Sequence, residues 1–439
     1  MISSLDHALI GLYLSCVIFA GILVKSPRSS SGYIFAGRKL TVPAFVMTLV
    51  STWYGGILEV GRFAHINGIS TILIFGLFYY IAALVYAYAM VPRIKSSQFE
   101  TIPQAISSAF GKKSGVVAAL LILFISSPAP YIKILSVFLD FLYGITPLYG
   151  ALLCAAVSIL YTLRGGFQAV IKTDIIQFVM MFAGFFFILV FLYSEYGGYN
   201  FLSSSLSSKM ISIPGGMSWS YIIVWGFIAM LTFIDPNFYQ RTFAGMSTGD
   251  VQRGICISVI FWLVFDLMSI SVALYAAAII PEVIHSPYLD LVSVALPPIT
   301  QGLFIISMMS VVMSTVDSFL FISGCTIGKD LLPLVVRTED KQIIPQIKIG
   351  IIVSGAISVV LATFFENALD IWYVSGSFAV SCIMIPLLCV LYRVKLRFPL
   401  ISIIIPGVVT LLWFCFGSPS VDPMYPGLAS SLICFILFR

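Results

Sequence analysis

Apolar and polar positions separate along the chain into long runs and short connections. Thirteen runs read as membrane spans, for which about 20 apolar residues are typical, the fifth and thirteenth being shorter. They cover 5–24, 41–66, 69–92, 114–142, 148–163, 171–193, 219–238, 251–280, 299–327, 343–365, 368–392, 398–416 and 425–438. Residues 97–110 form a short amphipathic segment too polar to span, and 194–217 a polar loop rich in Ser and Gly. The pattern predicts an all-α membrane protein of about 13 transmembrane helices.

Two runs carry internal breaks. The second holds Trp53-Tyr54-Gly55-Gly56 near its middle, and the seventh holds Trp225-Gly226 at similar depth from its own start. A Gly pair loosens a helix and frees carbonyls to face a ligand, although it serves close helix packing equally well. The two breaks are five runs apart, an offset that suits an inverted repeat pairing runs two to six with runs seven to eleven. Pro128-Ala129-Pro130 is expected to bend the fourth run.

The ninth run has polar residues where hydrocarbon is expected. Ser307, Ser310, Ser314, Asp317 and Ser318 recur three to four residues apart and form one stripe, with Thr315 beside it. Small hydroxyls alone would suggest close packing of two helices. A carboxylate at membrane depth is costly without a partner, so Asp317 turns the stripe toward an ion or substrate path. A face made only of oxygens suits a hard monovalent cation.

Composition agrees with the membrane reading. Of 439 residues, 60% are hydrophobic and 9% charged, and mean hydropathy is +1.07. With the N-terminus outside, 20 of the 23 Lys and Arg fall at inside ends, Arg241 among them. Only Arg62 and Lys209 fall outside, and Lys133 alone lies inside a run away from an interface. That bias is what the positive-inside rule requires. The 8 Cys lie in apolar runs without a Cys-x-x-Cys pair, and the 3 His lie near run ends. Neither a phosphate-binding glycine loop nor a catalytic triad can be assembled, so an enzyme is not expected.

Between runs five and six stands Tyr161-Thr162-Leu163-Arg164-Gly165-Gly166-Phe167-Gln168-Ala169-Val170-Ile171-Lys172-Thr173-Asp174-Ile175-Ile176-Gln177. It resembles the signature of the sodium/solute symporter family. Asp235-Pro236-Asn237-Phe238-Tyr239-Gln240-Arg241, Met313-Ser314-Thr315-Val316-Asp317-Ser318 with Lys329-Asp330, Phe35-Ala36-Gly37-Arg38 and Thr101-x-Pro103-Gln104 resemble further family stretches, in family order. The resemblance implies the LeuT-type five-plus-five inverted repeat, with one helix before it and two after. Its segments would be 1–40, a first repeat 41–193, an external loop 194–217, a second repeat 218–393, and two last helices in 394–439.

The resemblance also implies the coupling ion, sodium, as the only metal. One site would take carbonyls of Ser51, Tyr54 and Val311 and hydroxyls of Ser314 and Thr315. Depth agrees, since Ser51 and Ser314 each lie ~15–20 Å from the inner end at about 1.5 Å per residue. A second ion site, using Asp174 with Asp317 and Ser318, is left open, because some two-sodium members carry a hydroxyl where this chain has Asp317. Asp174 reads equally well as a helix N-cap. Solute candidates are Trp53, Gly55, Gly56, Glu59, Lys133, Trp225 and Trp372. Lys133 either takes the carboxylate of an anionic solute or pairs with Glu59.

The expected function is a secondary transporter coupling sodium entry to uptake of a small polar solute by alternating access. The rivals are a proton-coupled or uncoupled transporter and a transporter-like sensor. The expected setting is a cell membrane, N-terminus outside and C-terminus inside. The lipid bilayer and the solute are the expected partners, nucleic acid is not, and no oligomer is required.

Overall fold

The computed structural model describes residues 2–334, 339–364, 368–418 and 421–439. Among these residues ten helical stretches are long and apolar enough to cross a bilayer, and an eleventh is a bent pair, Trp219–Phe233 with Pro236–Ala244. Two shorter apolar helices, Val42–Ser51 and Met424–Phe438, stand where the second and thirteenth predicted runs lie. The second run continues past a break as Ile57–Asn67.

One helix is the centre of the molecule. In the Thr300–Leu334 stretch 94% of an 18-residue apolar window is buried, against 22–72% of the corresponding windows in the other nine long spans among the described residues. Its serines explain why it can be enclosed. Small side chains let neighbouring backbones approach, and in a bilayer close packing supplies the attraction that water supplies elsewhere. Phe167–Tyr196 comes so near that a Cβ on Gly184 would stand 2.3 Å from Ser307 Cβ. The start of the central helix is held from the first span. Asp6 accepts from the backbone N–H of Ile299 and Gly302, both at 2.8 Å. A carboxylate there satisfies orphan donors and complements the positive end of the helix dipole.

Breaks occur where backbone groups find other partners. The fourth span stops at Ile125 and resumes at Ala129. Ser323 of the central helix donates to the freed carbonyl of Ser126. The seventh span does not break at Trp225-Gly226, which lies within the Trp219–Ile228 helix. It tightens to a 3-10 turn over Ala229–Phe233 and bends by 42° before Pro236–Ala244. Pro236 has no N–H to continue the ladder, and Asp235 caps the new start by accepting from the Asn237 N–H at 2.8 Å. This later bend carries Arg241 into the protein, where it is 0% exposed. Arg241 is therefore not one of the end-of-span charges.

The Gly184 contact is testable. Gly184→Leu should destabilise the purified protein by about 1–3 kcal/mol, as overpacking does, and lower its melting temperature in detergent. Gly11→Ala, where a Cβ meets nothing within 4 Å, should not. Equal melting of both variants would contradict this packing.

Candidate functional site

The second span unwinds over 52–56, between helices Val42–Ser51 and Ile57–Asn67. This turn lies against the middle of the central helix. Thr315 Oγ1 donates to the Thr52 carbonyl and to the Val311 carbonyl, both at 3.0 Å. Ser314 Oγ lies 2.9 Å from Ser51 Oγ, which itself donates to the Met47 carbonyl at 2.8 Å. Gly55 permits the approach, since a Cβ there would stand 2.7 Å from Thr315 Cβ and 2.5 Å from the Tyr131 ring. Ser51, Val311, Ser314 and Thr315 are thus brought together at this turn. Tyr54 lies in the same turn, with its hydroxyl donating to the Trp262 carbonyl at 2.9 Å. An oxygen-lined turn from which larger side chains are excluded fits a small hard cation.

Next to it lies a group that hydropathy alone did not predict. Asp174 and Arg241 form an ion pair at 3.5 Å, both side chains 0% exposed. Arg241 Nη2 also lies 2.9 Å from Thr48 Oγ1, 3.2 Å from the Thr48 carbonyl, 2.8 Å from Thr52 Oγ1 and 2.9 Å from Ser318 Oγ. Asp174 accepts from Ser314 Oγ at 2.6 Å and from the Thr48 hydroxyl. Its helix begins at Phe167 behind Gly166, so Asp174 is mid-helix and not an N-cap. Thr48, Ser51 and Thr52 were legible as a polar stripe three to four residues apart in the second run.

Asp317 does not join Asp174 and Ser318. Its Oδ2 accepts from the Tyr161 hydroxyl at 2.5 Å. Its Oδ1, like both polar atoms of Gln177, has no hydrogen-bond partner among the described residues.

The solute candidates divide into two aromatic groups. Trp53 packs against Trp262, Tyr79 and Phe238, at centroid distances of 5.0, 5.2 and 5.9 Å. Trp225 packs against Phe75 at 5.1 Å and Phe63 at 6.4 Å. Phe75 and Tyr79 are one helical turn apart, so the groups stack along the third span. Gly56 ends the unwound turn. Glu59 pairs with Arg62 at 3.5 Å, and among the described residues no ion pair joins it to Lys133, so that expected pairing is not formed. Lys133 is half-buried in the Ala129–Tyr143 helix. The Trp372 side chain lies outside the described residues.

A model of the sodium:solute symporter family matches residues 33–397. The chain belongs to this family. It is 24% identical over 367 residues to the high-affinity proline transporter PutP of Bacillus subtilis, covering 77% of this chain and 76% of PutP. It is 26% identical over 223 residues to mouse solute carrier family 5 member 4A, covering 48% of this chain but only 33% of that protein. The chain thus spans a third of the mouse relative's length. A sodium-coupled sialic acid symporter, solved in a substrate-bound outward-open state, superposes with a TM-score of 0.84 over 100% of this chain and 98% of its own, at 17% identity. The fold is accordingly the LeuT-type one.

This symporter-family chain closes one end of its bundle with charge. Glu100 pairs with Arg38 at 2.6 Å and with Lys329, and Thr101 donates to Asp330 at 2.7 Å. Lys95 Nζ reaches the Gly245 carbonyl at 2.7 Å. Burial alone would raise the Glu100 carboxyl, but Lys329 and Arg38 together hold it below the usual carboxylate range. A depressed carboxyl contributes stability above its unfolded pKa, which is lost as pH falls through the folded value. Glu100→Gln should thus melt lower than wild type at pH 7, by roughly 1 kcal/mol or less as for partly exposed pairs. The difference should fade as pH drops below the ordinary Glu value of about 4.3. A pH-independent difference would contradict the ion-pair account.

Proposed function

We propose that the chain is a secondary transporter that couples inward sodium movement to uptake of a small polar solute across a cell membrane, N-terminus outside and C-terminus inside. The observation that carries this reading is the unwound turn of the second span meeting Ser314 and Thr315 on the central helix. Sodium is cargo, held by carbonyls of Ser51, Tyr54 and Val311 and hydroxyls of Ser314 and Thr315. Ligands from two helices make its affinity depend on their separation, so ion binding biases one state of an alternating-access cycle. In that cycle a small bundle of spans rocks against the scaffold formed by the others. Each sodium moving down the membrane potential supplies about 2.3 kcal/mol per 100 mV.

The solute would lie beside the Trp53, Tyr79 and Trp262 rings, which offer flat apolar walls with polar edges. Lys133, half-buried on the fourth span, is the basic candidate for an anionic group of the solute. The direct test is accumulation of labelled proline, pantothenate, glucose and sialic acid in proteoliposomes. An inward sodium gradient should drive one of them, and potassium should not replace it. Flux that ignores sodium, or follows a proton gradient, overturns the reading.

Ser314→Ala or Thr315→Ala should raise the sodium concentration for half-maximal uptake at least tenfold, equivalent to about 1.4 kcal/mol of lost binding. Wild-type sodium dependence in both variants would place the ion elsewhere. Lys133→Met should weaken affinity for the transported solute more than tenfold and leave sodium binding in the absence of solute intact. Unchanged solute affinity removes Lys133 from the site.

A further inference from the structure

We infer that the Arg241 guanidinium is a tethered cation that fills the cage beside Asp174, so that the chain binds a single sodium, at the Ser314–Thr315 site. The inference rests on the sodium reading above. Its basis is the surroundings of one atom. Five oxygens lie 2.8–3.5 Å from Arg241 Nη2: the Thr48 carbonyl and hydroxyl, the Thr52 and Ser318 hydroxyls and Asp174 Oδ2. An NH2 group has two hydrogens, so these acceptors outnumber its donors. An all-oxygen shell with one carboxylate, drawn from three separate stretches of chain, is the kind of cage that suits a hard monovalent ion. Here a positive nitrogen stands at its centre.

Charge balance points the same way. Asp174 is the one carboxylate in direct contact with Arg241, both side chains fully buried, and Asp235 stands farther off as the cap of the guanidinium's own helix. A free cation added to the same cage would share one carboxylate with the guanidinium, without water to screen the two charges. Asp317 brings no ligand to the cage, because its carboxylate accepts from Tyr161.

The guanidinium is also anchored from behind. Nη1 donates to Asn237 Oδ1 at 3.2 Å, one turn back on the same helix. The Phe167 ring lies 5.5 Å from its central carbon. The helix that carries it is pinned by Asp235 at its start and by Gln240, which donates to the Ile34 carbonyl at 3.2 Å. Withdrawing the side chain would leave the buried Asp174 carboxylate without its counter-charge, which is costly. The cage is therefore closed to a diffusible ion while Arg241 is present, and its removal opens it.

Equilibrium binding of ²²Na⁺ to the purified full chain, without solute, tests this. Wild type should saturate at one sodium per chain, Arg241→Met at two, and Arg241→Met/Asp174→Asn again at one. Two sodium ions on wild type overturn the inference and leave the sodium reading standing. No saturable binding on wild type overturns the sodium reading itself. Arg241→Met leaves a buried carboxylate unpaired and is expected to be less stable in choline buffer. Its melting temperature should therefore rise with NaCl more steeply than that of wild type, as mass action requires for an added site. A folded Arg241→Met that binds one sodium, or one whose melting shows no extra rise, overturns the inference.

Discussion

The fold is built around the cost of a charge away from water. Asp174 and Arg241 are both fully buried in a chain surrounded by hydrocarbon, where an unpaired charge would cost several kcal/mol. Each therefore fixes the elements that carry its partners. Asp174 holds Phe167–Tyr196 against Ser314 of the central helix and Thr48 of the second span. Arg241 holds the bent seventh span against Thr48, Thr52 and Ser318. Removing either partner alone should be far more damaging than removing both, because only the single change strands a charge.

The same constraint governs the other irregular points. Wherever a helix stops at membrane depth, its backbone groups need partners from the protein. Asp6 serves the start of the central helix, Ser323 serves the break at Ser126, and Thr315 serves the unwound turn at Thr52. Two of these three depend on the central helix, which is why it is enclosed and why its polar residues are small. Asp266, in the middle of the Thr248–Ile279 helix, is satisfied in the same manner by the Tyr80 hydroxyl. A hydroxyl on the central helix thus serves as a partner for a neighbour's backbone, and in the proposed sodium site it also serves as a ligand. The site is a place where both needs coincide.

Much of this was legible in the residues. Hydropathy located the spans because backbone satisfaction forces apolar helices of bilayer length. The three-to-four spacing of Ser310, Ser314, Asp317 and Ser318 identified the central face, and Gly55-Gly56 marked the unwound turn. Other features turned on geometry that spacing does not encode. Arg241 read as an end-of-span charge because the seventh apolar run ends at Phe238, three residues before it. The bend comes at Asp235-Pro236, where the proline and its capping carboxylate were visible but unweighted. Asp317 and Asp174 looked like members of one ion site, yet their side chains leave their helices toward different neighbours. A helical wheel places a residue on a face; it does not say which of two adjacent helices the carboxylate reaches.

The account rests on two buried cations of different kinds, one fixed in the chain and one brought from solution. An experimental density map of the protein in thallium(I), a heavy monovalent stand-in for the transported ion, separates them directly. The account predicts one strong peak between the 51–54 turn and Ser314–Thr315, with the Arg241 guanidinium in density against Asp174. A thallium peak on Asp174, with Arg241 swung out of the cage, would contradict it.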